Sequence, residues 1–141
     1  MKKNVLLRNI LAVIAGIVIG AVVNMGIIML GGSILPPPGG VDASDGESLK
    51  AAMHLFQPIN FVFPFLAHAV GTLAGAIVAG LIAANRKMLF AIVIGFVFLI
   101  GGIMMAIDLP APAWFIVLDL VLAYIPMGVI GGYLSGNRRG R

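Results

Sequence analysis

Phe65 to Lys87 reads FLAHAVGTLAGAIVAGLIAANRK. Up to Asn85 it is an unbroken, mainly apolar run of about twenty residues, which is what a helix needs to cross roughly 30 Å of hydrocarbon. Ala67, Gly71, Gly75, Ala79 and Ala83 recur every four positions. Residues at that spacing share one helix face, so they form a ridge that lets another backbone come close. A single histidine, His68, stands near one end, and Asn85-Arg86-Lys87 closes the other.

Composition extends that reading to the whole chain. Of 141 residues, 61% are hydrophobic and 10% charged, and the mean hydropathy is +1.14. A soluble surface needs about a quarter to a third charged side chains, so this chain belongs in a bilayer. Cysteine is absent, which removes disulfides, thiolate metal sites and thiol nucleophiles together. The net charge of +4 could suggest a nucleic-acid surface, but position argues against it. Lys2, Lys3, Arg8, Arg86, Lys87, Arg138, Arg139 and Arg141 flank apolar runs, and only Lys50 lies elsewhere. That pattern sets membrane topology.

Outward from the opening stretch, three further crossings are expected, with boundaries at about 10–35, 88–107 and 114–135; the opening stretch itself supplies a crossing at about 61–84. The N-terminal apolar run is too long for a signal-peptide core of roughly 7–15 residues and reads as an uncleaved helix carrying Ala12, Gly16 and Gly20 on one face. Pro36-Pro37-Pro38-Gly39-Gly40 ends it. In the loop 36–58, Ser44 and Glu47 fit a capping box opening a short helix to about Gln57. Leu49, Ala52, Met53 and Phe56 lie on its apolar side, with Glu47, Lys50, His54 and Gln57 opposite. Such a helix lies on the membrane surface or caps the bundle. Pro126 falls inside the fourth crossing, where with Tyr124 it marks a kink and a lined cavity, Gly128, Gly132 and Gly136 repeat at four-residue spacing, and residues 136–141 form a basic tail.

The fold class is therefore an all-α integral membrane protein, a four-helix transmembrane bundle with a short amphipathic outer helix between helices 1 and 2. Basic residues at both termini and at Asn85–Lys87 place both ends in the cytoplasm and the chain in the cytoplasmic membrane. Gly80 to Lys87, GLIAANRK, aligns without gaps to Gly132 to Arg139, GYLSGNRR. Two readings stand: a parallel repeat of two hairpins, or the common habit of helices ending small-polar-basic at the cytosol.

Polar residues inside the membrane are where function is sought. Counted at 1.5 Å per residue from the basic ends, Asn24, His68 and Asp119 all fall roughly 24–26 Å from the inner boundary, with Met104 and Met105 level and Asp108 about one turn higher. In a bundle the Asp119 carboxylate can orient the His68 imidazole. The structural alternative is an interhelical hydrogen bond close enough to the interface to stay wet. A metal site drawn from His54, His68, Asp108 and Asp119 lacks any recognised ligand spacing, so no metal is expected, and no cofactor. No catalytic set is complete. Gly16, Gly20, Ala67, Gly71, Gly75, Ala79, Gly128 and Gly132 are expected to pack helices. A second small face on the opening helix, at Ala69, Ala76, Gly80 and Ala84, is available for a partner subunit.

Three functions follow, one of them an intramembrane enzyme with His68 as base, for which nothing else resembles a completed catalytic set. The first is a non-enzymatic accessory subunit of a larger or homo-oligomeric membrane assembly, packed by its small-residue ridges and docked through its outer helix. The alternative is a small proton- or cation-coupled transporter or channel using the layer of Asn24, His68, Asp119 and Asp108. The expected partners are the lipid bilayer, further copies or other membrane subunits, and no nucleic acid.

Overall fold

The structure, a computed structural model, describes residues 2–136. The basic residues of the tail and the Asn-Arg-Arg end of the second GNRR-type segment lie outside the described residues. Helix α1 spans Lys2–Ile34, α2 Gly46–Ala52, α3 Val62–Ile82, α4 Lys87–Asp108, α5 Ala113–Leu122 and α6 Ile125–Leu134. Among the described residues there is no strand. Four helical stretches are long and apolar enough to cross a membrane: Lys3–Ile34, Pro58–Ile82, Lys87–Asp108 and Ala113–Leu134. The chain is a multi-pass helical membrane protein.

Helix α1 starts at Lys2, well before the expected Ile10. Its polar first turns are held rather than frayed: Arg8 Nε donates to the Ile82 carbonyl at 2.6 Å, Asn9 Nδ2 to Asn85 Oδ1 at 3.0 Å, and the Ala84 amide to Asn9 Oδ1 at 2.9 Å. These bonds occupy carbonyl and amide groups that the end of α3 leaves without intrahelical partners. At 33 residues, α1 is roughly 50 Å long and outreaches the hydrocarbon core.

The apolar side chains cannot drive helix association in lipid as they would in water, so close backbone packing does that work. Helix α3 is central and packs against α1, α4 and α6. Its seam with α1 is built from glycine. A Cβ on Gly75 would lie 2.5 Å from the Gly16 carbonyl oxygen, and one on Gly71 2.9 Å from both the Gly20 carbonyl oxygen and the Asn24 Cβ. Ala67 and Ala79, in the same register, are fully buried. Gly128 sits on the Ala91 carbonyl and Gly95, and Gly132 on Met88 and Ala91, which joins α6 to α4.

The second small face of α3 also lies inside the chain. Gly131 of α6 meets Ala76, and Ser135 lies directly over Gly80. Ala69, Ala76 and Gly80 are all buried, so this face is not free for a partner subunit.

Three local expectations are corrected. Ser44 does not cap the outer helix. Its amide and hydroxyl both donate to Asp42 Oδ1 (2.8 and 2.6 Å), and Asp45 takes the N-cap position of α2. Helix α2 stops at Ala52 and continues as a single 3-10 turn over Met53–Leu55, short of Gln57. Its apolar side turns inward: Met53 joins Phe61 and Phe115 in a buried cluster, with Leu49 and Phe56 against it. The helix thus caps the bundle. The capping box is found later, where Gln57 and Asn60 cap one another's backbone at the 3-10 turn Pro58–Phe61, which leads into α3.

The fourth crossing is not one helix. It breaks at Ala123–Tyr124 into α5 and α6. Pro126 has no N–H to return to the preceding turn, and Tyr124 takes φ −120°, ψ −77°. Gly136, at φ +88°, closes α6 in the left-handed conformation that glycine adopts without steric cost.

A candidate intramembrane polar site

His68 comes from α3 and Asp119 from α5, and the two side chains meet. Nδ1 of His68 lies 2.8 Å from Asp119 Oδ1 and 2.9 Å from Oδ2. An ionised carboxylate only accepts, so Nδ1 carries the hydrogen and Nε2 is left for other chemistry. The Asp119 side chain is 6% exposed and that of His68 22%.

Tyr124 completes the group. Its hydroxyl donates to Asp119 Oδ2 at 2.9 Å, and its ring stacks on the imidazole with centroids 5.8 Å apart and planes at 29°. Residues five apart on an unbroken helix point about 140° away from each other. The break between α5 and α6 is what lets Tyr124 turn back onto Asp119. Gly102 of α4 is equally necessary, since any Cβ there would collide with the phenol oxygen and ring. Tyr124 is fully buried as a result. A carboxylate that accepts from two donors is held in one orientation.

Asn24, His68 and Asp119 line a cavity of about 470 Å³, and Tyr124 lies behind His68 and Asp119, outside that lining. Asn24, on α1, packs over Gly71. Among the described residues no donor reaches its buried Oδ1. The cavity's walls are otherwise mostly apolar, among them Met25, Ile28, Phe63 and Met105, and α2 forms its roof with Leu49 and Met53. Below it, Gly16 and Gly20 close onto Ile94 and Phe98.

The other sequence candidates fall elsewhere. Asp108 does not reach the cavity; it pairs with Lys50 of α2 at 3.3 Å on the exposed rim. His54 is exposed on the turn after α2, and Met104 faces outward while Met105 lines the cavity. Among the described residues no three His, Cys, Asp or Glu side chains converge as a metal site would require. Gly16, Gly20, Ala67, Gly71, Gly75 and Ala79 lie along the α1–α3 seam, and Gly128 and Gly132 along α4–α6.

Sequence reasoning placed Tyr124 only as the marker of a kink beside Pro126; its bond to Asp119 depends on Gly102, which is distant in sequence. Thr72, one turn from His68, lies outside the cavity lining; it is fully buried, and among the described residues no partner reaches its Oγ1. Set beside known protein families, curated proteins and solved structures, the chain matches none of them.

Proposed function

We propose that the protein is a small proton- or cation-coupled membrane transporter, with the His68–Asp119 pair as its ion site and the cavity above it as its outward-facing vestibule. The carrying observation is the 2.8 Å contact between these two side chains, both of which line the cavity. Ionisable groups inside a bilayer are expensive and mark ion or proton pathways. A histidine whose Nδ1 is fixed by a carboxylate leaves Nε2 free to accept a proton or a donor.

The accessory-subunit reading rested on abundant packing ridges, few intramembrane polar groups and an outer helix suited to docking. The second small face of α3 and the apolar side of the outer helix are buried within the chain, which favours the transporter reading over that role. The enzyme reading has only an oriented base, without a nucleophile or an oxyanion site beside it, so we take the protein as non-enzymatic.

The working unit we infer is this bundle in the cytoplasmic membrane, as a homo-oligomer or with other membrane subunits. Lys3, Arg8, Arg86 and Lys87 gather at one end of the bundle, with Asp42, Asp45, Glu47 and Asp108 at the other. By the positive-inside rule the first end faces the cytoplasm, with both termini inside. Small-xxx-small packing and descent from two parallel hairpins belong to the same reading; both hairpins, α1 with α3 and α4 with α6, close on small residues. Because the chain has no cysteine, single cysteines at Gly40 and Lys87 test the orientation. An impermeant thiol reagent outside intact cells should label the first alone.

Transport is tested with proteoliposomes on a solid-supported electrode, challenged with proton jumps, Na⁺, K⁺ and organic cations. Charge movement should disappear in Asp119→Asn and fall at least tenfold in His68→Gln. Currents untouched by both substitutions, or none with any challenge, would overturn the proposal.

A further inference from the structure

Helices α1 and α4 touch where Gly16 meets Ile94 and Gly20 meets Phe98. Further along, Asn24, Met25 and Ile28 of α1 line the cavity together with Gly102, Met105 and Ala106 of α4. Met25 and Met105, one on each helix, are each about half exposed. Methionine side chains are flexible and polarizable, and they adapt to apolar bodies of different shape.

Charge decides what the polar end of the site accepts. The groups facing Asp119 are His68 from α3 and Tyr124 from the α5–α6 break; α4 presents Gly102 there and α1 the neutral amide of Asn24. Among the described residues no Lys or Arg lines the cavity. With the imidazole neutral, the site holds one buried negative charge and the free Nε2 acceptor. An incoming anion would meet an unopposed carboxylate, and an incoming alcohol would bring a donor without a charge. A protonated amine brings both, and a buried charge is tolerated when it is paired and hydrogen-bonded.

We propose that the cavity binds amphipathic amines, which enter from the outer leaflet between α1 and α4. Their ammonium group donates to His68 Nε2, with the Asp119 carboxylate across the imidazole as its counter-charge, and their apolar body lies along Met25, Ile28 and Met105. The proposal rests on the reading of His68–Asp119 as the cation site and supplies its substrate class. The apolar walls exclude bare, hydrated metal cations as the better fit.

The test uses the full chain in lipid nanodiscs with ¹³C-methyl methionine. Met25, Met53 and Met105 line the cavity, whereas Met29, Met88 and Met127 do not. Titration with dodecylamine, dodecanol and dodecanoate at neutral pH should shift the first three methyl signals selectively. Half-saturation for the amine should come at a concentration at least tenfold lower than for the alcohol or the acid. Asp119→Asn should erase that preference. Should Asp119→Asn fail to fold, Ile28→Trp fills the entrance, and it should abolish the shifts while leaving the fold intact. Equal shifts at all methionines for all three probes would mean bilayer partitioning alone and would overturn the proposal, as would equal affinity for alcohol and amine. Selective amine binding without electrode currents would sink transport and leave the binding site standing.

Discussion

His68 Nδ1 and Asp119 Oδ1 lie 2.8 Å apart, although 51 residues separate them in sequence and they sit on different helices. Neither group is tolerable alone at that depth. Each is the other's reason for being there, and Tyr124 supplies the second donor to the carboxylate. Removing the carboxylate therefore strands two polar groups at once.

Asp119→Ala should accordingly lower stability by about 3–5 kcal/mol, the range for breaking a buried pair by deleting one member. Tyr124→Phe removes one hydrogen bond to a charged group and should cost about 1.5–3 kcal/mol. Steric-trap or mild-detergent unfolding measures both. Equal, negligible losses would mean that water already satisfies these groups.

Gly102→Ala should act through Tyr124. The added methyl has no room beside the phenol, so the ring must leave Asp119 or α4 must move, at about 1–3 kcal/mol for overpacking. In a Tyr124→Ala background the same change should be close to neutral. A thermodynamic cycle that gives additive effects would contradict this coupling.

The glycines should divide sharply by position. Gly75→Leu drives a side chain into the Gly16 carbonyl and should prevent α1 from docking, whereas Gly26→Leu meets nothing within 4 Å and should be silent. Thermal unfolding in detergent, followed by size-exclusion profile, separates the two outcomes.

Outside the membrane, two hydrogen bonds from Ser44 hold the Asp42 carboxyl below the usual carboxylate range. A depressed folded-state value means that the loop's stabilisation is complete above the ordinary carboxylate pKa. It is lost as pH falls through the lower, folded value. Ser44→Ala should return Asp42 toward the ordinary range, as read by NMR titration of its carboxyl carbon. An unchanged titration would show that the turn itself, and not Ser44, sets the value.

The spans were legible because twenty apolar residues between basic stops admit one solution in a bilayer. Depth was legible for the same reason: helical rise is constant, so Asn24, His68 and Asp119 could be counted to one level. Rotation was not. Whether His68 faced Asp119 depended on which small residues of α3 met α1 and which met α6, and the two ridges at 67–79 and 69–80 look alike in sequence. The start of the outer helix was misread because the Ser44 hydroxyl could either accept from the helix as a cap or donate to Asp42 in a local Asx-type turn, and the local bond won. The break at Tyr124 needed Gly102 to give it a direction, a dependence no local pattern carries.

The clamp at the base of α1 also has an implication for the order in which the chain is made. Asn9 is held by Ala84 and Asn85, which leave the ribosome some 75 residues later. During that interval the first span has to keep its depth by its own flanking charges, Lys3 and Arg8. The Asn9 amide then acts as a latch that closes only on a correctly placed α3–α4 turn. Membrane insertion would thus be checked at its midpoint, before the helix carrying Asp119 has been synthesised.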